Sequence, residues 1–142
     1  MTRFAAPISE QIWDMKYRFK QADGAPIDRS VEDTWRRIAR SLAQVEQDSA
    51  AWEDRFYAAL EDFKYLPAGR ITAGAGTGRR VTLFNCFVMG TIPDSMAGIF
   101  DMLKEAALTM QQGGGIGYDF STIRPRGADV LGVAADASGP LS

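Results

Sequence analysis

Cys86 is the only thiol in the chain, and the chain has no histidine. A single thiol closes no internal disulfide, and without imidazole the commonest general base and the commonest metal ligand are both missing. Ser-His-Asp, Cys-His and histidine-based zinc chemistry are therefore excluded within these residues, and no metal site is expected. Two roles remain for Cys86: a small buried hydrophobe in an apolar strand, or a redox thiol that a partner thiol and a substrate can reach. Asn85 and Cys86 follow a Gly-rich loop, a position where backbone can crowd a ligand.

Two further stretches could grip an anion. In Gln111-Gln-Gly-Gly-Gly-Ile-Gly-Tyr118 the glycine amides can wrap a phosphate. The run fits neither G-x-G-x-x-G nor the P-loop, and because it joins a helix end to an extended segment it serves equally well as a helix stop. Arg124-Pro-Arg126-Gly is a small basic cluster whose forked guanidinium groups suit phosphate oxygens, although surface arginines are common. Asp94-Ser95 reads first as a helix cap.

The whole chain offers no general electrostatic pull on nucleic acid: 16 Lys and Arg stand against 18 Asp and Glu, a net charge of −2. Any phosphate must be gripped locally. No run of about 18 apolar residues is present and the first residues lack the apolar centre of a secretory signal, so neither a membrane nor export is expected and the location is read as cytoplasmic. Apolar residues make up 46% of the 142, enough to bury a core.

The elements that must hold these residues follow from periodicity and caps. A first helix is expected near 9–19, with Ser9 as cap and Ile12, Met15 and Phe19 on one face. Ser30 and Asp33 approximate a capping box ahead of a helix over 31–47, whose stripe is Val31, Trp35, Ile38, Leu42 and Val45. Asp48 or Ser49 caps a third helix over 49–64, with Trp52, Phe56, Leu60 and Phe63 in line. The chain changes character near Tyr65, which divides it into a helical region, 1–65, and a Gly-rich remainder, 66–142. There a strand is expected over 81–89, buried on at least one face. A helix over 95–111 follows, capped by Asp94 or Ser95 and stopped by Gly113, Gly114 and Gly115. Its apolar face of Met96, Ile99, Phe100, Leu103 and Met110 is wider than a small core requires, which points to a second subunit.

The segments Leu66-Pro-Ala-Gly-Arg-Ile71, Val81-Thr-Leu-Phe-Asn-Cys-Phe-Val88, Pro93-Asp-Ser95, Gln112-Gly-Gly-Gly-Ile-Gly-Tyr-Asp-Phe-Ser121, Arg124-Pro-Arg-Gly127 and Ala137-Ser-Gly-Pro140 resemble consecutive motifs of adenosylcobalamin-dependent, class II ribonucleotide reductases, in the family's order and spacing. The helical first half is similar to the region preceding the catalytic barrel in that family. The resemblance implies an α+β fragment: an N-terminal helical region and then the first strand and helix of a ten-stranded α/β barrel. It implies radical reduction of ribonucleotides to deoxyribonucleotides, with adenosylcobalamin as radical source. By motif position Cys86 is the first of the two thiols that supply electrons; its partner and the thiyl cysteine lie in later sequence.

The same resemblance implies a substrate site lined by Asn85, Cys86 and Gly115, with the loop at Gly69 and Arg70 contributing. It also implies a deoxynucleoside triphosphate effector site at Asp94, Ser95 and Arg124, with Arg126 beside it. A thioredoxin-like reductant and a homodimer through the 95–110 helix are the implied partners, together with the remaining part of the reductase. Nothing at the N-terminus resembles the ATP-cone of some relatives, and the family continues well past the position of Ser142. The resemblance thus implies a piece that is inactive alone. The alternative is a regulatory or assembly module that binds a nucleotide effector or pairs with a reductase subunit.

Overall fold

A computed structural model of the chain describes residues 3–141. Its elements are α1 (Pro7–Lys16), α2 (Val31–Ala43), α3 (Ser49–Leu60), a 3-10 turn (Glu61–Phe63), α4 (Gly69–Gly74), β1 (Cys86–Val88), α5 (Met96–Gln111) and β2 (Gly115–Gly117). They fall into two compact units, one ending at Asn85 and the other starting at Cys86.

In the first unit the helices start and stop for local reasons. Pro7 opens α1, where its missing N–H costs nothing, so Ser9 lies inside the helix and is not its cap. The helix ends at Lys16, and its buried residue is Trp13, while Ile12 and Met15 face outward. The Asp33 carboxylate accepts from the Ser30 amide at 3.2 Å and from the Arg29 amide at 2.7 Å, fixing the start of α2. That helix ends at Ala43, short of the expected 47, because the Glu46 amide turns back to the Ala43 carbonyl at 3.0 Å. Val45 is left outside the apolar stripe at 88% exposed. The turn frees Asp48 to cap α3 by accepting from the Ala51 amide at 3.1 Å. Asp62 and Phe63, with φ of 57° and 58°, break α3 before the expected end. The Phe63 ring is held edge-on to Trp35, 5.1 Å away between centroids.

Residues 66–80 read as Gly-rich turns, yet they contain α4, and Ala75 just beyond it is buried with Trp13, Val31, Trp35, Ile38, Ala39 and Leu60 in one core. This packing carries the first unit well past Tyr65, the boundary that composition alone marks.

The second unit is built on a strand-helix-strand crossover. β1 and β2 are parallel, with Cys86, Phe87 and Val88 opposite Gly115, Ile116 and Gly117. The strand expected over 81–89 is thus confined to 86–88. Val81 and Phe84 are tied by short turns, Val81 N–H to the Arg79 carbonyl and Phe84 N–H to the Thr82 hydroxyl, so only 86–88 reach a partner strand. Only Phe87 of β1 is partly buried; Cys86 and Val88 are exposed. Ser95 caps α5 by accepting from the Gly98 amide at 3.1 Å. Gly113, with φ of 89°, turns the chain out of the helix into β2. Of the α5 residues Ala106 is buried, while Met96, Phe100, Leu103 and Met110 are each half or more exposed. No helix among the described residues is long and apolar enough to cross a membrane.

Candidate functional site

The parallel ladder brings two of the expected substrate residues face to face, since Cys86 is the direct register partner of Gly115. Side chains at paired positions of a parallel ladder share one face, so a glycine opposite the cysteine leaves the space beside the sulfur clear. The thiol is free and exposed. Among the described residues, then, the sulfur is not packed into an apolar core. Gly114, one residue earlier, is buried, and a Cβ there would stand 2.7 Å from the Phe87 ring. The glycine run therefore lets β2 approach β1, a role beyond stopping the helix.

Asp94, Ser95 and Arg124 also come together. The Arg124 guanidinium donates to the Asp94 carboxylate at 2.8 Å through Nε, to the Asp94 carbonyl at 3.4 Å through Nη2, and to the Asp129 carbonyl at 3.1 Å through Nη1. Ser95 follows Asp94 at the start of α5, where unpaired amides and the helix dipole favour an anion. Near them the Thr122 hydroxyl donates to the Ile92 carbonyl at 2.6 Å, tying the Arg124 loop to the approach of α5. Arg126 is exposed and has no side-chain hydrogen bond or ion pair among the described residues. Of the remaining expected residues, Gly69 and Arg70 open α4 in the first unit, and Asn85 is its last residue.

One cluster in the first unit was invisible to motif reading. The Asp28 carboxylate, buried, accepts from Arg37 Nη2 at 2.9 Å, from the Thr34 hydroxyl at 2.7 Å and from the Phe19 amide at 3.2 Å. Trp13 Nε1 in turn donates to Thr34 Oγ1 at 3.1 Å. Arg37 also donates to the carbonyls of Thr72 and Ala75. The only sequence signal is that Thr34 and Arg37, three apart, flank the apolar stripe of α2. Two clefts adjoin this cluster. One, of about 640 Å³, is lined by Arg37, Arg40, Arg79 and the glycines of the 74–78 loop; the other, of about 520 Å³, is apolar and reaches from Phe4 and Trp13 to Gly69.

This arrangement of a helical unit followed by a parallel strand-helix-strand start coincides with two family models. The ribonucleotide reductase all-alpha domain matches residues 3–80, and the ribonucleotide reductase barrel domain matches residues 84–142. The chain belongs to the ribonucleotide reductase family. Among curated relatives it is 36% identical over 126 residues to the ribonucleoside-diphosphate reductase subunit alpha of Helicobacter pylori, covering 89% of this chain and 16% of that protein. It is 35% identical over 132 residues to the vitamin B12-dependent ribonucleoside-diphosphate reductase of Mycobacterium tuberculosis, covering 89% and 19%. The enzyme of that name from Thermoplasma acidophilum is 28% identical over 137 residues, covering 96% and 17%. The chain thus spans less than a fifth of the length of these relatives.

Proposed function

We propose that the chain is the N-terminal part of a ribonucleotide reductase, with Cys86 as one of the two thiols that reduce the substrate. The observation that carries this reading is the exposed Cys86 thiol paired in register with Gly115, inside the segment that matches the barrel model. The reaction balances as ribonucleotide plus two thiols giving deoxyribonucleotide, one disulfide and water: the C2′–O bond breaks, a C2′–H bond forms, and two sulfurs lose one electron each. The second sulfur belongs to the remaining part of the reductase, and a thioredoxin-like dithiol then reduces the disulfide by exchange.

In this reading Gly69, Arg70, Asn85, Cys86 and Gly115 line the substrate, and the relatives' names favour a nucleoside diphosphate. Asp94, Ser95, Arg124 and Arg126 receive a deoxynucleoside triphosphate effector. Arg124 reaches the phosphates by sharing donors that Asp94 and Asp129 hold without ligand. The exposed apolar face of α5 supports a homodimer through the 95–110 helix, and a cytoplasmic site accords with a free thiol.

Adenosylcobalamin is the cofactor favoured by the B12-dependent relatives, and when bound it supplies the radical that starts the reaction. The residues present do not fit a corrin: one cleft is lined by guanidinium groups and the other opens into the aromatic core. Its contacts are assigned to the remaining part of the reductase. Mixing the chain with a complementing C-terminal polypeptide, adenosylcobalamin and a dithiol should yield deoxynucleotide over many turnovers. The Cys86→Ser chain should fold yet give no multiple turnover; undiminished turnover would refute the redox role.

A further inference from the structure

We infer that Arg37, locked by Asp28, is the positioning residue of the Gly69–Arg70 substrate loop, which rests on the substrate reading proposed above. A single guanidinium links α2 to the C-terminal half of α4, the helix that Gly69 and Arg70 open. Its Nη2 donates to Asp28 Oδ2 at 2.9 Å, to the Thr72 carbonyl at 3.1 Å and to the Tyr17 carbonyl at 3.4 Å. Its Nη1 donates to the Ala75 carbonyl, and its Nε to the Asp28 carboxylate at 3.2 Å. The C-terminal half of α4 is thereby tied to one buried side chain, which is 9% exposed against 4% for Asp28, and the Gly69 end is reached only through Tyr17.

The loop that follows α4 is shaped around this arginine. Gly76 has φ of 72°, and a Cβ on it would stand 2.8 Å from Arg37 Cγ and 3.0 Å from the Arg37 carbonyl oxygen. At the other end Gly69 lies against the Tyr17 ring, whose own carbonyl Arg37 holds. Lysine could keep the charge pair with Asp28, but as a point donor it cannot hold three carbonyls in a plane. A buried ion pair adds little stability over a well-packed apolar substitute, so what this pair contributes is a fixed geometry. A loop held in its binding conformation spares the nucleotide the cost of ordering it.

The test uses Arg37→Lys, with Gly76→Ala reaching the same contact from the loop side should the first variant not fold. In the chain itself, exchange of the Thr72 and Ala75 amides, which bond to the Ala68 and Ile71 carbonyls, should speed by about tenfold while Ile38 and Ala39 in α2 stay protected. In the reductase assembly, KM for ribonucleotide should rise by about tenfold with kcat within about twofold, the signature of lost ground-state ordering. Unchanged loop exchange, or equal loss of protection in α2, overturns the inference. Arg70→Ala separates the two readings. If it raises KM and Arg37→Lys does not, the positioning role falls and the substrate loop stands; if neither raises KM, the substrate reading of the loop fails and the inference with it.

Discussion

Cys86 lies directly across the parallel ladder from Gly115, with Asn85 next to it along the chain. Because paired residues of parallel strands project to the same face, any side chain at 115 would stand beside the sulfur. Gly115→Val should therefore slow alkylation of the Cys86 thiol several-fold in the chain itself, with helical content unchanged by circular dichroism. A thiol equally reactive in the variant would show that the glycine does not keep its access open.

Replacing a helical glycine by alanine ordinarily stabilises by about 1 kcal/mol. At Gly98 in α5 the sign should reverse, since the new Cβ would stand 2.5 Å from Pro93 Cβ and 2.8 Å from its Cγ. Gly114→Ala should act the same way against Phe87. Each is expected to destabilise the second unit by about 1–3 kcal/mol, the usual cost of overpacking. Hydrogen exchange across β1, α5 and β2 reads this directly, and a Gly98→Ala chain with greater protection would contradict it.

The buried Thr34 hydroxyl joins Trp13 to Asp28. Thr34→Val keeps the volume and removes the hydroxyl, so Trp13 Nε1 loses its acceptor while Asp28 keeps Arg37 and the Phe19 amide. One buried donor left unmet costs about 1–3 kcal/mol. Urea unfolding of the two chains should show that difference without a change of slope.

Hydrogen bonds from Arg18 and then from Lys20, each at 2.9 Å, hold the Asp14 carboxyl below the usual carboxylate range. A lowered folded value means that the pair stabilises the fold above the unfolded value of about 4 and loses that contribution as pH falls through the lower folded value. The gap in urea midpoint between the native chain and Asp14→Asn should be present near neutral pH and close on acidification. The effect is small because Asp14 is 41% exposed on its side chain.

Arg124→Ala should weaken effector control of substrate choice more than it weakens effector-free reduction, because the fork joins the start of α5 to the Asp129 loop. Reduction of two competing ribonucleotides by the assembly, with and without a deoxynucleoside triphosphate, measures it. An unchanged effector response in the variant removes Arg124 from the site. A strictly monomeric assembly removes the α5 interface.

Where a local cause acts alone, the sequence was a good guide. Asp48 and Ser95 cap the helices they precede, and Val31, Trp35 and Ile38 are the buried stripe of α2. Cys86 lies in a strand, one that is shorter and less buried than expected. What stayed hidden depends on partners distant in sequence. Trp13 rather than Ile12 turns inward because Thr34 offers its indole an acceptor 21 residues on. Gly69–Gly74 is helical although glycine disfavours it, since Arg37 holds the carbonyls that an isolated turn would leave to water. β2 carries one side chain in three residues, so no β-propensity could announce it.

The two short strands pair only with each other among the described residues, so each keeps one open side. The adjoining run Thr82-Leu-Phe-Asn-Cys-Phe-Val-Met89 has no charge and no proline, and Phe84 and Val88 are 70% and 99% exposed. Such a segment on an open edge is a template for strand addition. The backbone groups that a third barrel strand would satisfy are therefore also the groups through which copies of this chain would aggregate in concentrated solution. Handling it will depend on giving that edge a partner, or on placing a lysine at the outward Val88 position as a gatekeeper.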